Sequence, residues 1–479
     1  MKPLSTSVYS SLIFIGTLLY SQATLGQWAG GYQPRQMHSE DSKALIQELE
    51  SRFEEERHGM SDNRKVKQIN LERETFFIEK ILDGYFVKDD SLENFVNGVL
   101  HKISESNALT SNPKRVLILE SPHVNALCYG KGIYAVTIGL LGRIETENQL
   151  AFILSHEIAH DELGHVRTRI VREADMNLEA RTQDQTIKII SGKIVEEEIE
   201  EYRNLVYGMS KHSRQNELRA DSMALVLLSN AHYNERESLV ALDILKKAQS
   251  PKYEIGAELF LPLHSKNYPF QDYWLNDRLT VYSKKYMRTF LYAADSVETH
   301  PTIELRKRAL RSYLSNPSTK TNIQSETFSK TVSEIAAFET VESAYRNKEY
   351  DLSLYHALQL MHRHPHHPYL VSRVGKILVD LYEAKGIGKF ENYVSRYTMN
   401  YSDELKLINS MLYNLTQEEL GEVAYHFLSD STNFGNHEKS HYYLLWKISD
   451  LTYRSDVKEN IKLAFKNKFE AGISTYRYR

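Results

Sequence analysis

The chain has a single cysteine, Cys128, among 479 residues. No disulfide can form within it, so its stability must come from a packed core, which a chain this long can supply. Proline and glycine are scarce, at 11 and 21. So few turn formers, between long runs of mixed polar and apolar residues, favour a mainly helical protein. Charge of one sign is lacking too: Lys+Arg 59 against Asp+Glu 63 leaves a net charge of -4. With no basic block to offset it, that balance excludes a phosphate-binding surface for nucleic acid. Beyond the first twenty residues no segment is apolar enough to span a bilayer. Cys128 reads as a buried small hydrophobe, because nothing near it in sequence looks like the base that a nucleophilic thiol requires.

What is present begins with an export signal. Lys2 supplies a positive start, Val8 to Tyr20 forms an apolar stretch, and Ser21-Gln22-Ala23 and Thr24-Leu25-Gly26 offer small residues at cleavage spacing. The apolar stretch is short against the ~20 residues of a membrane span. Residues 1–26 therefore read as a signal peptide, with an uncleaved anchor as the alternative. No cysteine follows to carry a lipid anchor. Residues 27–64 read as an N-terminal arm, with one charged helical run, Ser39 to Glu56, as a peripheral helix or loose arm. Arg115 to Leu119 and Gly132 to Ile138 read as strands, and Gln149 to Val166 as a helix with apolar residues at helical spacing. A long charged, helical stretch follows to Arg214, then helices over Asn216–Asn230 and Glu235–Ala248. Residues 250–297 are aromatic and aperiodic. Residues 313–327 have the composition of a linker, and 328–479 is helix after helix. Within it, Tyr345 to His362 followed by Pro365 and Pro368 fits one helical hairpin of the tetratricopeptide kind, and no second unit fits.

The strongest feature is His156-Glu157-Ile158-Ala159-His160. Residues four apart share one helical face, so both imidazoles can reach one ion. Glu157 between them is free to take a proton from water activated by that ion. A catalytic zinc site uses three protein ligands and leaves one position open. Downstream, Ser213-Arg214-Gln215-Asn216-Glu217-Leu218-Arg219-Ala220-Asp221 places Glu217 on a second helix with Asp221 one turn later. Glu217 can be the third ligand, and Asp221 can accept a hydrogen bond from a ligating imidazole and fix its tautomer.

From about Arg115 to Arg308 the chain resembles the gluzincin-type zinc metallopeptidases of the HtpX, BepA and CAAX prenyl protease kind. The motifs that carry the likeness are Ser121-Pro122, Asn125-Ala126, Gly132-Ile133-Tyr134, Gly139-Leu140-Leu141, Glu147 and Gln149-Leu150-Ala151 leading into the HEIAH helix, the S-R-x-x-E-x-x-A-D run, and Thr299-His300-Pro301 with Arg306. The resemblance implies one zinc per chain, held by His156, His160 and Glu217, with Glu157 as general base and then general acid. It implies that Gly132, Ile133 and Tyr134 form an edge strand onto which an extended substrate adds. It also implies that His300 and Arg306 point into the cleft, Arg306 stabilising the oxyanion with His300 assisting. In the BepA branch the matching histidine can also cap the metal and hold the enzyme latent. Gly164-His165 stands where the family often has an arginine before the histidine, and 250–297 looks like an insertion. The charged stretch up to Arg214 places the chain nearest the soluble, periplasmic BepA-like branch.

The fold reading is thus α+β: a mainly helical zincin-like domain with a small sheet over 65–312, then an all-α domain. The functional reading is a zinc-dependent endopeptidase of the cell envelope, acting on proteins or peptides in quality control. Protein partners would dock through the C-terminal helices. The alternative is an envelope assembly factor or chaperone with a latent or dispensable protease site. Two weaker signals read as bland. His362-Arg363-His364-Pro365-His366-His367-Pro368 is a solvated turn, because its prolines break the geometry that would align the imidazoles. Glu196 to Glu201 is an exposed helix face.

Overall fold

The computed structural model describes residues 32–35, 37, 39–57, 63–176, 214–248, 252–253, 255–276, 301–314, 330–395, 402–434 and 438–476. The export signal, most of the charged stretch, Glu196–Glu201, residues 277–297, His300 and the linker 315–327 lie outside them. Residues 34–479 form one unit; of the unit before it, only Tyr32 and Gln33 are described.

The N-terminal part builds a scaffold from three helices, α1 (Ser39–Arg57), α2 (Arg64–Leu82) and α3 (Asp90–Glu105). Asn63 and Asp89 cap α2 and α3 by accepting first-turn backbone N–H groups. The helical run read at Ser39 to Glu56 is present as α1, but as part of the core rather than as a peripheral helix or loose arm. Its Leu45, Leu49 and Phe53 are buried with Phe77, Ile81, Phe86, Leu117 and Ile133. The three lie at i, i+4 and i+8, a stripe along one face that the dense charges around it had obscured.

The sheet has strands β1 (Arg115–Leu119), β2 (Ala126–Gly130) and β3 (Ile133–Thr137) in the order β1-β3-β2. β3 pairs parallel with β1 and antiparallel with β2. The expectation that Gly132, Ile133 and Tyr134 form a free edge is therefore wrong. β3 is the central strand, and its Ile-Tyr-Ala-Val-Thr run is buried at every position, as a strand covered on both faces and paired on both sides must be. The free edge is β2, where Leu127 is 44% exposed and no strand pairs on the outer side among the described residues. The outer side of β1 is partly covered: Val87 donates to the Ile118 carbonyl at 2.9 Å and Glu120 to that of Tyr85 at 2.8 Å.

The chain leaves β3 through the short helix α4 (Ile138–Leu141), then enters α5 (Glu147–Glu162). Thr146 and Gln149 close a capping box at its start. Buried residues lie on every side of α5 in its first three turns, so it runs through the middle of the domain. It stops at Glu162 rather than running on to Val166, because Gly164 takes φ +66° before α6 (His165–Met176) begins. The described part of the next helix, α7, covers 214–230, followed by α8 (Glu237–Lys246) and, further on, α9 (Ile303–Leu314).

Beyond the linker, α10 (Lys330–Arg346), α11 (Tyr350–Arg363), α12 (Pro368–Gly386), α13 (Asp403–Asn414), α14 (Gln417–Ser429), α15 (Lys439–Leu451) and α16 (Ser455–Phe469) pack on one another as a helical layer. α10 lies against α4 and α3, so the layer sits directly on the N-terminal half. The described part of the aromatic insertion is built of 3₁₀ turns and docks on that layer. Trp274 is 1% exposed, its Nε1 donates to Glu419, and its carbonyl accepts from Asn414. At the histidine-rich turn His364 and His367 pack on Phe338. No helix among the described residues is long and apolar enough to cross a membrane. Among the described residues the molecule is mainly helical α+β, with one small sheet ahead of an all-α region.

Candidate metal centre

α5 and α7 are separated by half a hundred residues of chain, yet they bring three donors together. The Nε2 atoms of His156 and His160 lie 3.0 Å apart. Glu217 sets one oxygen 3.4 Å from His156 Nε2 and the other 3.3 Å from His160 Nε2. Zinc bonds of 2.0–2.1 Å in a tetrahedron separate neighbouring ligand atoms by about 3.3 Å. Two imidazoles and a carboxylate at these distances fit a zinc ion, and among the described residues this is the one group of its kind. Glu157, half-buried, follows His156 on the same helix.

Behind the donors is a layer that holds them. Asp221, 0% exposed, lies 3.0 Å from His156 Nδ1. Arg306 from α9 grips the same carboxylate, donating through Nε at 2.8 Å and Nη2 at 2.6 Å. Burial opposes the Asp221 charge, but the hydrogen bonds from Arg306 and His156 outweigh it and hold its carboxyl below the usual range. For His156, burial pulls the ring down, while Asp221 and Glu217 more than compensate and lift it to about 9 in the metal-free protein. A proton must therefore leave His156 when a metal binds.

Arg306 lies against the metal donors, its Nη2 3.4 Å from His156 Nδ1 and its Nη1 3.8 Å from Glu217 Oε2. It is 5% exposed and gives Nε and Nη2 to Asp221, because a buried guanidinium needs a carboxylate and Asp221 lies nearer than Glu217. It thus acts through Asp221 on the orientation of His156. His300, expected beside it, lies outside the described residues.

Two residues take part in ways the sequence did not indicate, His165 having been noted only within the Gly164-His165 departure. His165 at the start of α6 sets its Nδ1 3.0 Å from Nδ1 of His160. Burial, with the neighbouring His160 and Arg219, depresses it to about 4, so it is neutral and can accept the His160 Nδ1 proton, leaving Nε2 of His160 for a metal. Asp161, directly after the second histidine, accepts from the Gly132 N–H at 2.8 Å and from the Tyr134 hydroxyl at 3.2 Å. An ordinary aspartate after a helix turn gives no signal of such a contact. The β2 edge borders this region: burial and the charges of Asp161 and Glu157 push the Cys128 thiol well up, consistent with an inert side chain.

Comparison with known proteins agrees with this geometry. Residues 89–314 match the model of Peptidase family M48. The chain is 23% identical over 175 residues to the mitochondrial metalloendopeptidase OMA1 of Arabidopsis thaliana, covering 35% of this chain and 34% of that protein. It is 23% identical over 158 residues to a protein of Vibrio cholerae named as a candidate beta-barrel assembly-enhancing protease, covering 31% of each. It is 29% identical over 105 residues to the mitochondrial metalloendopeptidase OMA1 of Danio rerio, covering 21% of each. The similarity thus spans about a third or less of these relatives' own lengths. Residues 89–314, a little under half of the chain, hold both donor helices and the Asp221–Arg306 support, and over these residues the chain is similar to peptidase family M48, a family of zinc metallopeptidases.

Proposed function

We propose that the protein is a zinc-dependent endopeptidase, with His156, His160 and Glu217 as metal ligands and Glu157 as general base. The observation that carries the reading is the convergence of two imidazoles and a carboxylate from α5 and α7 at mutual separations of 3.0–3.4 Å. Zinc held by these donors supplies a Lewis acid that acidifies water and polarises a peptide carbonyl. Glu157 takes a proton from the attacking water and returns it to the leaving amine. Asp221, held by Arg306, keeps the His156 ring oriented, and neutral His165 does the same for His160. An extended substrate adds to the free edge of β2, where backbone hydrogen bonds recognise the chain with little regard to its side chains. Arg306, with His300 assisting, keeps the oxyanion role that the resemblance gave it.

For location and role, the apolar stretch Val8–Tyr20 supports export, and the Vibrio cholerae relative is named for a process in beta-barrel assembly. The two OMA1 relatives are named as mitochondrial. We favour the cell envelope, with misfolded or misassembled proteins as substrates and the helical layer as the surface for protein partners. Glu157→Gln tests the reading. Zinc content should be unchanged while hydrolysis of an unfolded protein such as casein falls by at least a thousand-fold; wild-type-like hydrolysis would end the assignment of Glu157.

A further inference from the structure

The β2–β3 turn is an unusual piece of backbone. Gly130, Lys131 and Gly132 take φ of +93°, +64° and +72° in succession, and the β2–β3 register shifts between Cys128 and Gly130. Such a turn has no regular ladder of its own to fix it. Part of what holds it is the Gly132 carbonyl, which accepts from the Lys114 and Arg115 N–H groups at 2.8 and 3.2 Å, and the Lys131–Glu74 ion pair at 3.1 Å; the tie to the metal helix is separate from these. The Asp161 carboxylate takes the Gly132 N–H at 2.8 Å and the Tyr134 hydroxyl at 3.2 Å. Tyr134 is itself fully buried in the central strand. Asp161 is the residue next to His160, so one side chain ties the end of the free edge to the helix that carries two metal donors.

We infer that Asp161 is a positioning residue, setting how far and at what angle the substrate-receiving edge of β2 stands from the metal. This rests on the peptidase reading with substrate added to β2, and refines it. A charge-assisted contact to a backbone N–H holds a strand end more firmly than a neutral one. In a site where misplacement by about 1 Å can cost a hundred-fold, such a tether matters. A structural alternative is that Asp161 merely stabilises α5 and the metal site, so the test must separate the two.

The experiment uses the full chain carrying Glu157→Gln, which retains substrate without cleaving it, as parent, with Asp161→Ala and Asp161→Asn added to it. Three quantities are read: zinc per chain, affinity for fluorescein-labelled casein by anisotropy, and amide hydrogen exchange over 126–134. The expected result for Asp161→Ala is full zinc, casein affinity lowered about ten-fold and exchange over 126–134 quickened at least ten-fold. Asp161→Asn, which keeps one acceptor oxygen, should fall between. Affinity within two-fold of the parent overturns the inference. So does loss of zinc in step with affinity, which would make Asp161 a support of the metal helix, and so does absence of casein binding by the parent. Cleavage by the wild-type chain is scored separately: if it cleaves nothing while casein binding still depends on Asp161, the peptidase reading fails and the positioning role stands.

Discussion

At the scale of single residues, the site is a chain of dependence from Arg306 through Asp221 to His156. Each link is buried, and each would be costly alone. Replacing Arg306 by Met leaves the Asp221 carboxylate with the imidazole as its one remaining partner in that group. Breaking a buried pair in this way destabilises by about 3–5 kcal/mol, and weakening the support of a metal-ligating histidine lowers metal affinity by about 10–100-fold. Thermal unfolding of the metal-free variant should show a clear drop in midpoint, and a competitive zinc titration a weaker site; an unchanged midpoint would contradict the buried pairing. The donors themselves were legible, because a four-residue spacing on a helix dictates a shared face whatever surrounds it. The partner of Arg306 was not. A late arginine in sequence does not name the carboxylate it will grip, and only the position of Asp221, 85 residues away in the chain, decides. His165 and Asp161 were silent for the same reason: their partners are set by the fold, not by spacing.

At the scale of elements, α5 and the β2–β3 hairpin are the parts whose relative placement decides where the β2 edge stands from the metal donors. The helix was readable within a few residues from its apolar content, but its Thr146 cap was not noticed, and its end depended on Gly164 taking a left-handed turn. The sheet was readable in part. β1 and β3 are apolar and β-branched, whereas Ala126–Gly130 carries weak strand formers and becomes a strand only because β3 offers it a partner. Overlooking β2 made β3 look like an edge. The hairpin turn makes its own prediction. A Cβ at Gly132 would sit 2.3 Å from the Asn112 carbonyl, on a backbone at φ +72°. Gly132→Ala should therefore destabilise the protein by about 1–3 kcal/mol, visible as a lower denaturant midpoint. A substitution without effect would mean that the turn is less tightly held than described.

At the scale of the whole molecule, the helical layer is joined to the half that carries the candidate metal centre through packed surfaces. One sign is His356 on α11, which lies by Arg143 in a small cavity between the layer and α4. Burial first, and then the charge of Arg143, depress its pKa to about 3. The imidazole is ordinarily half-protonated near 6.5, so the unfolded chain binds more protons than the folded one between about pH 3 and 6.5, and stability falls as the pH drops through that window. At pH 5 this one group should cost about 2 kcal/mol relative to pH 7. His356→Gln should flatten the acid limb of a stability–pH curve by about that amount; an unaltered limb would show that the ring is not buried as a neutral group. The helical layer was legible from composition, but its seat on α4 and α3 was not, since nothing in an amphipathic helix names the surface it will cover. The account as a whole stands on α5 and α7, distant in sequence, closing around one zinc ion. Zinc per chain, measured after exhaustive dialysis on the wild type and on Glu217→Ala of unchanged helical content, tests this most directly. The prediction is one zinc in the wild type and at least ten-fold weaker binding in the variant. Equal zinc in both would contradict it.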